Sequence, residues 1–176
     1  IRTTRLGDII GSSPLYVGAP SSTLSSASSR SAMVYVGAND GMLHAFYASS
    51  GKEAFAYIPS LLLSKLSSLS AQDYKENHQY YVDGLLSAAE AEDQAGSGWG
   101  TYLAGSLGRG GEGLFLLNVT QPDSVADSDT SARSLVAWEF TKKHDSNMGI
   151  LHQSAPAVVR LNDGKDYVLA PNGYNS

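Results

Sequence analysis

One run of the chain reads Met33-Val34-Tyr35-Val36-Gly37-Ala38-Asn39-Asp40-Gly41-Met42-Leu43-His44-Ala45-Phe46-Tyr47. Its two ends are rich in β-branched and aromatic residues, and the Asn-Asp-Gly between them favours the positive φ angles of a tight turn. This pattern predicts a β-hairpin. A second turn at residues 49–52 and a strand over residues 53–58, which ends before Pro59, extend the hairpin into an antiparallel meander.

The same unit occurs again further along the chain. Tyr35, Tyr102 and Tyr167 stand at matching places, 67 and 65 residues apart. This period exceeds the roughly 40–50 residues of an ordinary propeller blade, and inserted loops account for the excess. Each unit is preceded by a predicted innermost strand, at residues 9–17, 85–89 and 154–159.

Tandem four-stranded antiparallel units are typical of β-propellers. We therefore predict an all-β chain, a propeller fragment of about two four-stranded blades and part of a third, within one partial domain over residues 1–176. The predicted parts are blade 1 at about 7–59, an inserted helix and loop at 60–79, blade 2 at about 80–141 and the start of blade 3 at about 149–176.

The insertions differ in character. Ser60 can cap a short helix after Pro59, and Leu62, Leu66 and Leu69 would share one helical face, so we expect a helix packed against the blades. Three polar stretches are predicted to be variable loops that can contact partners; they are Ser21–Ser31, Ser70–Tyr80 and Asp123–Arg133.

Composition excludes several classes of protein. The 176 residues are 42% hydrophobic and 16% charged, with a net charge of −5 and no cluster of Lys or Arg. A basic footprint is what nucleic-acid and anionic-membrane binders normally show, so we expect neither partner. There is no cysteine, which excludes disulfide scaffolds, Cys-ligated metal sites and thiol catalysis. No apolar run is long enough to span a membrane. Because the chain begins with Ile1-Arg2 rather than Met, we expect it to be part of a longer protein whose targeting signal lies outside it.

Four short motifs suggest a site, but three have ordinary turn interpretations and the fourth is interpreted as coincidence. Residues 108–113 spell G-x-G-x-x-G, but a strand rather than a helix is predicted to follow, which excludes a dinucleotide site and favours a glycine-rich hairpin turn. Asn39-Asp40-Gly41 and Asn162–Asp166 lack the density of acidic oxygens that calcium needs, so we interpret them as β-turns. Asn118-Val119-Thr120 fits the glycosylation sequon, which we interpret as coincidence.

No residue is assigned a catalytic, cofactor-binding or metal-binding role. The histidines share no metal-type spacing, the carboxylates are not paired as acid and base, and no G-x-S-x-G elbow occurs. His44 is predicted to line a blade interface, and Asp83 to belong to a turn at a strand entry. Trp99 and Trp138 are predicted to fill blade interfaces, with a minority of aromatic residues on an exposed rim. The histidines and carboxylates considered are His44, His78, His144, His152, Asp83, Glu90, Glu92 and Asp93.

The run at residues 34–46 resembles the repeat of quinoprotein-type propellers, and the chain as a whole resembles the C-terminal propeller of the PilC/PilY family, the type IV pilus tip-associated proteins. The stretches that carry the resemblance, in order, are Gly7–Gly18, Phe55–Ser60, Tyr80–Gly84, Val159–Lys165 and Asn172–Ser176. Leu85-Leu86 and Tyr47 depart from the family's usual Ser-Pro-like pair and Asp.

The resemblance implies a non-catalytic, exported protein at the pilus tip and outer membrane of a Gram-negative bacterium. It implies support of pilus assembly, twitching motility and adhesion, with minor pilins, the pilus tip and host-cell or abiotic surfaces as partners. It also implies a calcium site in an Asp-rich loop, which would lie beyond Ser176. No cofactor is expected within the chain itself.

Two other functions are compatible with blade repeats. A pyrroloquinoline-quinone-dependent dehydrogenase would need a complete propeller, with acidic and cationic groups clustered around the quinone. A scaffold propeller of the outer-membrane assembly type would share the repeats but lack the Asn172–Ser176 stretch.

Overall fold

The computed structural model describes residues 6–20, 30–92 and 98–174. Its first sheet has four antiparallel strands that follow one another in space as in sequence. We refer to this sheet as blade 1. Its strands are β1 (Leu15–Val17), β2 (Met33–Gly37), β3 (Leu43–Tyr47) and β4 (Glu53–Tyr57).

A second four-stranded sheet, blade 2, repeats this order, and a two-stranded antiparallel sheet follows it. The predicted all-β class, with four-stranded antiparallel units, is confirmed. The strands are β5 (Leu86–Glu92), β6 (Trp99–Ser106), β7 (Gly113–Asn118) and β8 (Val136–Thr141) in blade 2, and β9 (Ala157–Arg160) and β10 (Asp166–Leu169) in the third sheet. The predicted limits of the blades, which include connecting segments, stay predictions.

The two blades share an irregularity at the same place. The register shifts between Ala45 and Phe46 where β3 pairs with β4, and between Leu116 and Leu117 where β7 pairs with β8. Opposite these positions, Ala45 pairs with Tyr35 and Leu116 with Ala104. The structural counterpart of Tyr35 is therefore Ala104, two residues beyond the Tyr102 that the sequence pattern matched. Because side chains alternate along a strand, a shift of two residues leaves Tyr102 and Ala104 on the same face of β6.

Burial follows this alternation. One face of blade 1 packs on one face of blade 2, and their apolar side chains form the main core. In this core the rings of Tyr57 and Phe115 meet edge to face, with their centroids 5.5 Å apart. The other face of blade 2 packs on the third sheet through a second cluster of Ala91, Tyr102, Ala104 and Leu116. Face-to-face packing of successive sheets is the arrangement of propeller blades.

The insertion after blade 1 is helical, as predicted, but it is a 3₁₀ helix over Ser60–Ser70. Leu62 is buried, and Leu66 and Leu69 pack against the main core, so the predicted apolar face is confirmed. The predicted cap is wrong, because Ser60 is the first helical residue and Pro59 occupies the cap position without a side-chain hydrogen bond. Ser60 instead bonds to Glu139 of β8.

The loop prediction for Asp123–Arg133 is also wrong in part. A 3₁₀ turn covers Pro122–Ser124, and an α-helix, α1, covers Asp129–Leu135. Ser128 caps α1 by accepting a hydrogen bond from the Ser131 N–H, a preference typical of serine at this position. Most of the Ser21–Ser31 loop, residues 21–29, lies outside the described residues, as do Asp93 and the last two residues of the Asn172–Ser176 stretch.

The first strand is shorter than predicted. Pairing begins at Leu15, whereas residues 9–14 run outside the sheet. Within the described ranges, no helix combines the length and the apolar character needed to cross a bilayer.

Candidate interaction surface

Asn39 joins the turn of the β2–β3 hairpin to two other segments. Its backbone N–H donates to the Asp8 carbonyl at 2.9 Å, and its side-chain Nδ2 donates to Asp8 Oδ2 at 2.9 Å. Its Oδ1 accepts from the Tyr81 N–H at 2.9 Å. Asn39 is 2% exposed and its bond to the Tyr81 N–H is buried, whereas Asp8 is exposed. The turn residues 39–41 thus connect blade 1 to the chain that leads into blade 2, and Gly41 has the positive φ, 92°, that the pattern predicted.

Asp83 makes a second connection between the blades. Its Oδ1 accepts from the Gly11 N–H at 2.7 Å, and its own N–H donates to the Leu107 carbonyl at 3.1 Å. The residue is buried, and its Oδ2 has no hydrogen-bond partner among the residues that the structure describes. Asp83 therefore does more than form the predicted turn at the strand entry, because it also anchors the N-terminal segment to blade 2.

The glycine-rich stretch 108–113 forms a 3₁₀ turn at Gly108–Gly110 between β6 and β7. Gly108 has a φ of 57°, which glycine adopts without strain. The strand β7 follows directly, as the hairpin interpretation predicted. The turn lies against Tyr81, because a Cβ added to Gly110 would overlap the Tyr81 carbonyl oxygen. Lys65 donates to the carbonyl oxygens of both Tyr80 and Gly110 at 2.7 and 3.1 Å.

His44 is fully enclosed, and its hydrogen-bond partners among the described residues belong to blade 1; its predicted place at a blade interface stays a prediction. Its Nδ1 lies 2.6 Å from Glu53 Oε1, and its Nε2 lies 3.1 Å from the Asp40 carboxylate. Burial alone would lower the pKa of His44, but the hydrogen bonds to Asp40 and Glu53 and their charges raise it above its usual value. The His44 imidazole is a buried bridge between two carboxylates, not an exposed acid or base.

The other candidate residues do not converge on one site. His78 lies 3.0 Å from Asp8, His144 lies at the end of β8 beside Thr141, and His152 lies near Arg109. Glu92 pairs with Arg160 at 2.9 Å. Among the described residues, no group of three or more His, Asp or Glu side chains has the arrangement of a metal site.

The aromatic residues divide as the sequence suggested only in part. Trp138 packs between blade 2 and the third sheet, whereas Trp99 is 38% exposed at the rim. Asn118 of the sequon lies at the end of β7, where its Oδ1 accepts from the Thr120 N–H at 3.1 Å and from the Thr120 hydroxyl at 2.6 Å.

Glu139 is a functional candidate that the sequence patterns missed. From β8 it accepts hydrogen bonds from the Tyr57 hydroxyl and from the Ser60 hydroxyl and N–H, the last at 2.7 Å. Burial of Tyr57, together with this carboxylate, raises the Tyr57 pKa well above its usual value. No local signal marks Glu139, because its partners lie about eighty residues earlier in the chain.

Between the outer strands of the two blades lies a groove of about 690 Å³, which we call the interblade groove. The residues of β4 form one wall, α1 and β8 form the other, and Leu63, 60% exposed, stands at its margin. β4 is the last strand of its sheet, so one edge of its backbone is unpaired by any described strand. A free strand edge beside an apolar groove can receive an extended polypeptide segment.

Comparison with known proteins gives a consistent result. A family model described as the PilY1 beta-propeller domain matches residues 6–176. The chain is 41% identical, over its full length, to a type IV pilus biogenesis factor PilY1 homolog of Xylella fastidiosa. It is 39% identical, over 99% of its length, to the type IV pilus biogenesis factor PilY1 of a Pseudomonas aeruginosa strain. The chain spans 15% and 16% of those two proteins.

The fold comparison agrees with the sequence comparison. The crystal structure of the Pseudomonas aeruginosa PilY1 C-terminal domain matches 85% of the chain with a TM-score of 0.63 and 38% sequence identity, and the match covers 26% of that structure's chain. The family inferred from the motifs is thus confirmed by independent matches to sequence and structure. The chain belongs to the PilY1 β-propeller domain family.

Proposed function

We propose that this chain is a non-catalytic assembly and adhesion domain of a type IV pilus biogenesis factor. The observation that carries the proposal is the match of nearly the whole chain to the PilY1 propeller family, at about 40% identity to proteins named as pilus biogenesis factors. The domain would act at the pilus tip and outer membrane of a Gram-negative bacterium, where it supports pilus assembly, twitching motility and adhesion.

The proposed mechanism is noncovalent binding by a rigid surface. The Asn39, Asp83 and Glu139 hydrogen bonds hold the two blades in one relative position. The interblade groove then offers a pilin subunit an apolar wall and the unpaired edge of β4. A preformed surface binds with a smaller loss of conformational entropy than a flexible one. The calcium site implied by the resemblance would lie beyond Ser176, and this mechanism does not use it.

The experiment is a deletion of the gene for the whole protein, complemented with wild-type and variant copies. The groove variant carries Ala56→Glu and Leu63→Glu, which place charge on the wall and margin of the interblade groove. The control carries Leu161→Glu, the same leucine-to-glutamate change as at Leu63 but at an exposed leucine outside the groove. Immunoblots and circular dichroism check that each variant is folded and exported.

We expect deletion to abolish surface pili and twitching, the control to restore both, and the groove variant to restore neither. Normal pili, twitching and adhesion in the deletion strain would overturn the proposed function. Full rescue by the groove variant would overturn the assignment of the interblade groove. Binding of pyrroloquinoline quinone with alcohol oxidation by the whole protein would instead favour the dehydrogenase.

A further inference from the structure

A second groove, of about 440 Å³, lies on the rim of blade 2, and we call it the rim groove. It is bounded by the start of β6, the exit of β7 and helix α1. The side chains that matter for its chemistry are Trp99, Asn118, Gln121, Ser124, Ser131 and Ser134.

Among the residues that the structure describes, the lining of the rim groove mixes polar and apolar side chains and includes no charged residue. Its side chains offer an indole, two carboxamides and several hydroxyls, which are neutral donors and acceptors. A ligand that satisfies such groups without a counter-charge is itself neutral and rich in hydroxyl or amide groups. Nucleic acids and anionic lipids are disfavoured, because their phosphates require cationic contacts.

Two amides of the groove are available for a ligand. Asn118 is held in place because its Oδ1 accepts from the Thr120 N–H and hydroxyl. Its Nδ2 makes no hydrogen bond to any residue that the structure describes, and the same holds for the Gln121 side-chain amide. Polar groups with a fixed orientation and free hydrogen-bonding capacity are the features that give a binding site its specificity.

Trp99 supplies a flat apolar surface beside these amides. The Arg160 guanidinium lies over its ring, 4.7 Å from the centroid, and is itself held by Glu92 and Asp166. Arg160 does not line the rim groove, so the indole is fixed from one side while another part of its surface faces the groove. Gly98 and Gly100 flank Trp99 in the lining and add no side chain beside the indole.

We propose that the rim groove binds a neutral saccharide. The C–H face of a pyranose ring would pack on the Trp99 indole, which combines an apolar face with a polar edge. The sugar hydroxyls would bond to the Asn118 and Gln121 amides and the α1 serines. This inference names a ligand class for the adhesive part of the proposed function and uses a surface separate from the interblade groove.

The test uses the purified full-length protein on an array of N-acetyllactosamine, mannotriose and chitotriose, with sialylated and sulfated N-acetyllactosamine as charged counterparts. The variants are Trp99→Ala and Gln121→Ala. The matched control is Phe140→Ala, since Phe140 is 36% exposed against 38% for Trp99 and lies outside the rim groove. Thermal unfolding of each protein checks that the fold is kept.

We expect binding of at least one neutral glycan, weakened about tenfold or more by Trp99→Ala, less by Gln121→Ala and unchanged by Phe140→Ala. Binding to none of the neutral probes, or equal binding by wild type and Trp99→Ala, would overturn the inference. So would binding confined to the charged glycans. Counting surface pili in strains that carry Trp99→Ala separates glycan binding from the assembly function. Normal piliation together with lost glycan binding would leave the assembly function intact.

Discussion

At the scale of single residues, the His44 bridge is expected to make the stability of blade 1 depend on pH. It bridges Asp40 of the turn and Glu53 of β4 inside the sheet, and its ring stacks on Phe46 with centroids 5.9 Å apart. Since the bridge is strongest when the imidazole is protonated, its contribution to stability depends on pH.

The sign of this dependence follows from the raised pKa of His44. A group whose folded-state pKa exceeds its unfolded value stabilises the fold fully below the unfolded value, about 6.5 for histidine, and loses this stabilisation as pH rises through the folded value. We expect the free energy of unfolding of the propeller domain to fall as pH rises above about 6.5. His44→Gln should flatten this slope, as measured by denaturant unfolding over a pH series.

His144→Gln is the matched control, because it removes an exposed imidazole that lies outside the Asp40–Glu53 bridge. A His44→Gln variant with the wild-type pH slope would show that the bridge does not titrate with folding.

Glu139 is a single residue that connects three elements. Its carboxylate joins Tyr57 at the end of β4 and Ser60 at the start of the 3₁₀ helix to β8. Glu139→Gln removes the charge from these bonds, and we expect a loss of about 1–3 kcal/mol in the free energy of unfolding. Urea denaturation followed by tryptophan fluorescence would measure this loss.

The comparison for Glu139 is Glu112→Gln, which removes an exposed ion pair with Lys142 at 2.9 Å. Exposed pairs contribute little, so this change should cost less than about 1 kcal/mol. Equal effects of the two substitutions would show that Glu139 does not connect the blades energetically.

At the scale of elements, the close approach of β2 to the next blade depends on Gly37. A Cβ at this position would overlap the Val82 carbonyl oxygen and lie 2.7 Å from Val82 Cγ1. Because part of the clash is with backbone, Gly37→Ala must separate the blades locally. We expect a loss of about 3 kcal/mol in the free energy of unfolding, measured by thermal or urea unfolding.

Gly51→Ala serves as the reference for Gly37→Ala. Gly51 has a φ of 68°, but no atom would lie within 4 Å of an added Cβ, so this change adds only backbone strain of about 1 kcal/mol. A smaller effect at Gly37 than at Gly51 would contradict the tight contact between the blades.

The elements themselves were predictable to different degrees. The hairpins were anticipated because alternation and turn glycines act locally, as the positive φ at Gly41 and Gly51 confirms. The helix type at Ser60–Ser70 was not, since the leucine spacing fits a helical face but does not distinguish hydrogen-bond patterns. Helix α1 was missed because its Asp, Ser and Thr content is typical of a loop, although Ser128 followed by Asp129 is also a helix-start signal.

At the scale of the whole molecule, blade 2 lies between two other sheets. Strands β6 and β7 are central in their sheet, and both of their faces are covered, by blade 1 on one side and by the third sheet on the other. Amide hydrogen exchange followed by mass spectrometry should therefore find the slowest exchange in β6 and β7. Exchange should be faster in β4 and β10, which lie at sheet edges. Uniform protection across all four strands would contradict this order.

The sequence by itself determined most of the strands and their turns, because these depend on neighbours within a few residues. The repeated units and the PilC/PilY resemblance could be inferred on the same basis. The candidate sites could not, since each joins segments far apart in the chain: Glu139 with Tyr57, and Trp99 with Arg160. Only the packing of one sheet on the next decided which side chains meet, because burial favours contact between apolar faces without specifying the polar partners at their margins.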